Sequence, residues 1–315
     1  MTGEYVHHID PIIMSVFGIH LWWYGLSYSF GFLNAHLFLR RNRERLGLSL
    51  RTVYDLTIFL AVGVLIGGRS LVVFNNEWPF YREHVSLIPA IWLGGLATHG
   101  LILGAAAGVL TFCLVHRRPF RPIFDALAIP AALILGCGRI GNFIDGQIVG
   151  SITSVPWAVK FPDAEGFRHP VVLYDGLKNF LLIPCLMWVR SRKVPPGRLA
   201  ALFIFLYPAL RIPIDLLREY PITLLGLPTG QTFNIVMALA GAVLLARNWL
   251  QPPTEVDEHP VRSGVAAATA SRRLALAACL VIALVIPSDA TRDIPARYGK
   301  RHPGLAHSAM YVRLG

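Results

Sequence analysis

Seven apolar runs of about twenty residues each follow one another along this chain of 315 residues. They cover about 16–38, 54–75, 87–115, 123–145, 170–189, 198–217 and 230–249. A helix of about twenty apolar residues is long enough to cross the hydrocarbon core of a bilayer. Only 15% of the residues are charged, whereas about 25% is usual in soluble domains. The sequence therefore predicts an all-α multi-pass membrane protein with about seven transmembrane helices.

Lysine and arginine lie mainly in short clusters between these runs. Sixteen of them fall in loops on one predicted face of the membrane and four on the other, namely Arg82, Lys160, Arg168 and Arg218. Because the face richer in Lys and Arg is normally cytoplasmic, the N-terminus is predicted outside and the end of the seventh run inside. The formal charge of +11 is explained by this topology, and we predict no nucleic-acid partner.

The chain divides near residue 250. Residues 1–249 are predicted to form the transmembrane domain, and 250–315 a linker, a short apolar segment and a basic tail, partly disordered. The apolar segment 274–287 has fourteen residues, which is short for a membrane span. An eighth span and an interfacial position both remain open for it.

Three arginines, Arg69, Arg139 and Arg211, lie inside the second, fourth and sixth apolar runs. A guanidinium in hydrocarbon costs at least a few kcal/mol unless it has a partner or faces a water-lined cavity. With the predicted topology, all three lie roughly 8–9 Å below the outer surface. We expect them to hold an anionic ligand within the outer half of the bilayer.

The fourth run ends in GCGRIGNFIDGQIVG, residues 136–150. Arg139 and Asn142 are three residues apart and share one helix face. Glycines beside them allow another backbone or a ligand to approach closely. Gly146 and Gly150 indicate that the helix unwinds into a loop whose N–H groups can hold anionic oxygens.

The sixth run contains YPALRIPIDLLRE, residues 207–219. Tyr207, Arg211, Asp215 and Arg218 fall on a single helix stripe. Asp215 is one turn from each arginine and can pair with both. An ion-pair network that only stabilises the bundle is the alternative, but two arginines against one aspartate favour a further anion.

His99 lies in the third run, in GGLATHGLILG. Neutral imidazole can accept a proton near neutral pH, so His99 is a candidate general base, although a hydrogen-bonded core histidine is the alternative. Neither the histidines nor the four cysteines have the spacing of metal ligands. We predict no metal and no cofactor.

These segments resemble the bacterial prolipoprotein diacylglyceryl transferase family, whose full name is phosphatidylglycerol–prolipoprotein diacylglyceryl transferase. The resemblance covers roughly residues 9–249, in order, and is most specific over residues 138–150. The other matching stretches are 9–12 (IDPI), 23–26 (WYGL), 67–69 (GGR), 99–100 (HG), 168–170 (RHP), 173–174 (LY), Tyr207 with Arg211, and 230–231 (GQ).

The resemblance implies transfer of the diacylglyceryl group from phosphatidylglycerol to the lipobox cysteine of a preprolipoprotein, with release of glycerol phosphate. The partners implied are phosphatidylglycerol, lipobox-containing preprolipoproteins and membrane lipids. The implied location is the bacterial inner membrane, with the site facing the outer leaflet or periplasm. The residues expected to act in catalysis are His99, Arg139 and Arg211. The residues expected to contact or orient substrate are Arg139, Tyr24, Asn142, Asp145, Gly146, Gln147, Gly150, Arg69, Tyr207, Asp215 and Arg218.

The chain departs from the family pattern at four positions, 101, 145, 147 and 215. Gln147 and Asp215 stand where the family usually has Glu, Asp145 where it has Asn, and Leu101 where it has Gly. Asp145 is a candidate to supply the carboxylate that Gln147 lacks. Two alternatives remain: a diverged enzyme of the same fold acting on another lipid or acceptor, and a non-catalytic membrane protein that binds anionic lipids.

Overall fold

The computed structural model describes residues 5–219, 226–250, 269–291 and 297–311. Its long helices are α1 (Trp23–Asn42), α2 (Leu50–Leu71), α4 (Thr98–Val115), α5 (Phe120–Ile144), α6 (Val171–Ser191), α7 (Arg198–Asp215), α8 (Thr229–Leu250) and α9 (Ala270–Leu284). Two short helices are α3 (Trp78–Tyr81) and α10 (Arg297–Arg301). Each of the seven predicted runs contains one long helix, α1, α2 or α4–α8, so the all-α architecture is confirmed. Within the described residues, five helices, α2, α4, α5, α6 and α8, are long and apolar enough to cross a membrane.

Neighbouring long helices such as α2 and α4, or α7 and α8, pack antiparallel, and polar residues of α1, α4, α5, α6 and α7 lie at one end of the bundle. We call this the site end and define it by Tyr24, His99, Arg139, Asp175 and Asp215. Close glycine contacts hold the helices together there: a Cβ on Gly67 would lie 2.3 Å from the carbonyl oxygen of Gly100, in α4. Such contacts let backbones approach closely in place of large side chains.

Two predicted runs differ from the observed helices at their N-terminal ends. The first run was predicted from residue 16, but Ile12–Val16 and Ile19–Trp22 form an antiparallel hairpin, β2–β3, and α1 starts at Trp23. The third run was predicted from residue 87, but α4 starts at Thr98. Pro89 and the positive φ angles of Gly94 and Gly95 keep residues 88–97 out of a continuous helix.

Three further short strands lie at the site end. β1 (Tyr5–Val6) pairs in parallel with β4 (Val159–Lys160), which pairs antiparallel with β5 (Phe167–Arg168). At the opposite end, the Asp125 carboxylate accepts hydrogen bonds from the backbone N–H groups of Gly197 and Ala200, at 2.6 and 2.7 Å. This side chain caps the start of α7 and fixes its position against α5.

Helix α9 lies against α1 and α2 and runs from the opposite end to the site end. Near its start, Arg272 pairs with Asp55 of α2 at 2.6 Å. Near its end, a Cβ on Gly25 of α1 would lie 2.1 Å from the carbonyl oxygen of Ala283. The fifteen residues of α9 give about 22 Å of helix. The residues after α9 therefore lie at the site end, packed on the transmembrane domain.

Candidate active site

Asp175 of α6 is the meeting point of three buried cations. Its Oδ2 lies 2.6 Å from Nε of Arg139 and 3.5 Å from Nη1 of Arg211, and its Oδ1 lies 2.8 Å from Nζ of Lys178. All four residues are less than 10% exposed. The structure thus brings together Arg139 and Arg211, on α5 and α7, through one carboxylate.

The stripe on α7 continues this cluster. Arg211 donates from Nε to Asp215 at 3.2 Å and from Nη1 to the Tyr207 hydroxyl at 3.0 Å. Arg218 lies 3.5 Å from the other oxygen of Asp215. Within the described residues, three buried cations, Arg139, Arg211 and Lys178, and the less buried Arg218 thus lie against the carboxylates of Asp175 and Asp215. Guanidinium groups gathered in this way are suited to binding an anionic group such as a phosphate.

His99 reaches this network through Asn234 of α8. Asn234 donates from Nδ2 to Oδ2 of Asp215 at 2.7 Å, and its Oδ1 lies 3.4 Å from Nε2 of His99. Because the amide oxygen only accepts hydrogen bonds, neutral His99 in this contact carries its proton on Nε2. Nδ1 is then the nitrogen that can accept a proton.

Asn234 was not singled out in the sequence, although it is fully buried. The sequence could have indicated it, because Asn234 is a polar residue inside the apolar run 230–249. A polar side chain in a membrane span normally finds a partner within the bundle.

Asn142 connects Arg139 to the loop after α5. Arg139 donates from Nη1 to Oδ1 of Asn142 at 3.1 Å. Asn142 in turn donates from Nδ2 to Oε1 of Gln147 at 3.1 Å and to Oγ of Ser288 at 2.8 Å. Ser288 belongs to the C-terminal segment, to which the sequence assigned no function.

The loop after α5 uses its own N–H groups internally. Gly146 and Gln147 donate to the carbonyl oxygens of Phe143 and Asn142, and Gly150 donates to that of His169 at 3.0 Å. For the N–H groups of Gly146, Gln147 and Gly150, the expected contact with anionic oxygens therefore requires these hydrogen bonds to open. Gly146 has φ +68°, a conformation that favours glycine and lets α5 end there.

Asp145 faces the C-terminal segment. Its carboxylate accepts a hydrogen bond from the Tyr298 hydroxyl and pairs with Nη1 of Arg301 at 3.1 Å. Burial raises the pKa of Asp145 from 3.8 to about 7, and the positive charge of Arg301 opposes this shift. Asp145, the candidate to supply the carboxylate that Gln147 lacks, is thus in contact with Tyr298 and Arg301 of α10.

Arg69 and Tyr24 have different surroundings. The Arg69 guanidinium donates to four backbone carbonyls of residues 87–94, at 2.6–3.3 Å, and lies over the Tyr81 ring. The structure does not bring it to the Asp175 cluster. The Tyr24 ring lies 4.9 Å from the Tyr28 ring, tilted by 57°. Tyr24 also packs against Gly141, where a Cβ would lie 2.8 Å from the Tyr24 Cα.

An apolar cavity of about 160 Å³ lies below the charged cluster, between α1, α2, α4, α5 and α7. Leu135, one turn before Arg139, lines it, and so does Tyr28, whose ring covers Gly138. The gap between Arg139, Asp175 and Asp215 is only about 10 Å³, room for about one water. A charged cluster therefore lies directly above an apolar space, an arrangement suited to an amphipathic anion.

Comparison with known proteins agrees with the resemblance found in the sequence. The family model described as prolipoprotein diacylglyceryl transferase matches residues 11–247. A phosphatidylglycerol–prolipoprotein diacylglyceryl transferase of Geobacter sulfurreducens is 36% identical over 259 residues, covering 78% of this chain and 98% of the relative. Enzymes of the same name from Chromohalobacter salexigens and Aliivibrio salmonicida are 35% and 34% identical, over 78% and 76% of this chain and 94% and 87% of the relatives. The chain belongs to the prolipoprotein diacylglyceryl transferase family.

Proposed function

We propose that this protein transfers the diacylglyceryl group of phosphatidylglycerol to the thiol of a lipobox cysteine in a preprolipoprotein. A thioether bond forms between the cysteine sulfur and the glyceryl carbon, the bond from that carbon to the phosphate oxygen breaks, and glycerol phosphate leaves. The single observation that carries the proposal is the cluster of buried arginines at Asp175 and Asp215 above an apolar cavity. The names of the relatives supply the lipid and the acceptor.

Arg139 and Arg211 are proposed to hold the phosphate and to stabilise the charge that it gains. The phosphate diester carries one negative charge and becomes a dianion on leaving, so fixed guanidinium groups favour the transition state over the bound substrate. Because the gap at Asp175 has room for about one water, phosphate oxygens have to displace Asp175 from the two arginines. Lys178 then remains as the partner of Asp175.

His99 is proposed to remove the thiol proton. The thiolate is the nucleophile, and a free cysteine with a pKa of about 8.5 is mostly protonated at neutral pH. Nδ1 of neutral His99 is the acceptor, because Nε2 faces Asn234. Asp215, through Asn234, fixes the ring orientation.

Tyr24, Asn142 and the loop residues Gly146, Gln147 and Gly150 are proposed to contact the headgroup, and Tyr207, Asp215 and Arg218 to orient Arg211. The apolar cavity between α1, α4 and α5 is proposed to receive the part of the acyl chains nearest the headgroup. We place the protein in the bacterial inner membrane with the site end at the outer leaflet, on the basis of the Lys and Arg distribution.

The test is a reconstituted assay with phosphatidylglycerol labelled in its headgroup and a lipobox peptide. We expect glycerol phosphate release in proportion to peptide lipidation, and no release with a Cys→Ser peptide. Release without the peptide would indicate another acceptor and would overturn the assignment of the lipobox cysteine as the acceptor of the diacylglyceryl group. Binding of the lipid without release would indicate a non-catalytic lipid-binding protein. Complementation of a strain depleted of its own transferase tests the same function in cells.

A further inference from the structure

The C-terminal segment reaches the end of α5 although it lies outside residues 11–247, the part that matches the family model. Ser29 of α1 donates to the carbonyl oxygen of Leu280 at 2.7 Å, and the close contact of Gly25 with Ala283 follows one turn later. These contacts fix the position of α9 along α1 and its rotation about its own axis. Residues 286–291 are consequently delivered beside Asn142 and the loop after α5.

The Ser288 hydroxyl lies between two side chains of the candidate active site. It accepts from Nδ2 of Asn142 at 2.8 Å and donates to Oε1 of Gln147 at 2.6 Å. Ser288 is 8% exposed and Asn142 is 6% exposed, so water competes little for these hydrogen bonds.

This arrangement determines which way the Asn142 amide faces. Ser288 and Gln147 both accept from Nδ2, which leaves Oδ1 directed at Nη1 of Arg139. A flipped amide would place its NH₂ group against the guanidinium of Arg139, donor against donor. Ser288 therefore acts on Arg139 through Asn142.

Arg301 holds the segment in this position. Its guanidinium pairs with Asp145 at 3.1 Å, with Asp163 at 3.3 Å and with Asp289, the neighbour of Ser288, at 2.5 Å. The Arg301 side chain is 3% exposed. One arginine thus ties the residue after Ser288 to the residue that ends α5.

We propose that Ser288 is a positioning residue for the transfer reaction, which holds Asn142, and through it Arg139, in the orientation needed at the phosphate. The proposal rests on the proposed function. It extends the active site to the C-terminal segment, with Ser288 as the acting group and Arg301 as its anchor.

The test is steady-state kinetics of full-length Ser288→Ala with phosphatidylglycerol and the lipobox peptide. The variant loses the hydrogen bonds of Ser288 to Asn142 and Gln147 but keeps the one between Asn142 and Gln147. We therefore expect kcat to fall about three- to tenfold. The KM for phosphatidylglycerol should change less than about twofold, because the guanidinium is still present for ground-state binding. Ser288→Thr, which keeps the hydroxyl, should restore most of kcat.

Ser308→Ala is the matched control, because Ser308 lies in the same segment and, in the part of the chain that the structure describes, its Oγ hydrogen-bonds to backbone groups of residues 18, 20 and 310. It should have wild-type kcat. Wild-type kcat in Ser288→Ala, equal losses in both alanine variants, or a loss that Thr does not restore would each overturn the positioning role. An inactive wild-type protein would instead contradict the proposed function, so the two failures are distinct.

Discussion

Arg139 and Arg211 approach the same atom, Oδ2 of Asp175, from two different helices, at 2.6 and 3.5 Å. Like charges so close are stable only because a carboxylate lies between them. An anionic substrate offers the same kind of oxygen to the same pair. Asp175 thus occupies the position that we assign to the phosphate, and it keeps the arginines in place before binding.

Arg139→Ala should lower the rate of lipidation by about 10²–10³-fold, the effect of removing a preorganised charge from a transition state. The protein should still fold, because Asp175 keeps Lys178 and Arg211 as partners. Arg139→Lys should recover only part of the rate, since a lysine cannot reach Asp175 and Asn142 together. Single-turnover rates and thermal midpoints in detergent measure the two effects.

Arg82→Ala is the control for this series, because the Arg82 side chain is 61% exposed and pairs at the surface with its neighbour Glu83. It should be indistinguishable from wild type. Full activity of Arg139→Ala would remove the phosphate-binding role of this residue.

Arg69→Ala should lower the stability of the protein and leave its activity nearly unchanged. It removes the guanidinium that donates to four backbone carbonyls of residues 87–94, of which those of Leu87 and Ala90 keep a backbone donor. We expect the free energy of unfolding to fall by about 2–4 kcal/mol. The kcat of the protein that remains folded should stay within about threefold of wild type. If Arg69→Ala keeps its thermal midpoint but loses activity, Arg69 contacts the substrate after all.

His99→Gln should reduce the rate about 10²–10⁴-fold at pH 7, the usual contribution of a general base. Raising the pH to about 9 should recover part of the rate, because a thiol with a pKa of about 8.5 then ionises without help. The pH–rate profile of kcat measures this recovery. A near-normal rate at pH 7 would rule out His99 as the base.

Asp145→Asn should make stability less dependent on pH. In the folded protein the pKa of Asp145 is raised from 3.8 to about 7 by burial, so between these pH values the folded state binds a proton that the unfolded state does not. The contribution of this group to stability therefore rises as the pH falls from about 8 to about 5. The variant lacks that contribution, and its thermal midpoint should change less over this range. Equal slopes for both proteins would contradict the raised pKa.

Hydropathy predicted the helices of the bundle because length and apolar content are local properties of the chain. It placed the beginnings of two helices wrongly, since residues 16–22 and 88–97 are apolar enough for a span but are kept out of helix by the hairpin and by glycine and proline. The helix positions gave the depth of Arg69, Arg139 and Arg211. Depth alone does not specify the direction in which a side chain points, and so it did not separate Arg69 from the other two.

The contribution of the C-terminal segment could not be predicted. Ser288 and Arg301 lie 146 and 156 residues from Asn142 and Asp145, and a serine and an arginine after a short apolar segment have no distinctive pattern. Their role depends on the rotation of α9 against α1, which is set by long-range contacts such as the packing at Gly25 and the hydrogen bond from Ser29 to Leu280.

Helix α9 also affects how a lipid can reach the interior. Since α9 lies along both α1 and α2, it covers the contact between those two helices. The apolar cavity is bordered elsewhere by α4 and α7, through Ile102, Ala105, Phe203 and Ile204. We therefore expect lipid to enter on the flank of the bundle formed by α4 and α7, and the protein acceptor to approach on the side near Ser288.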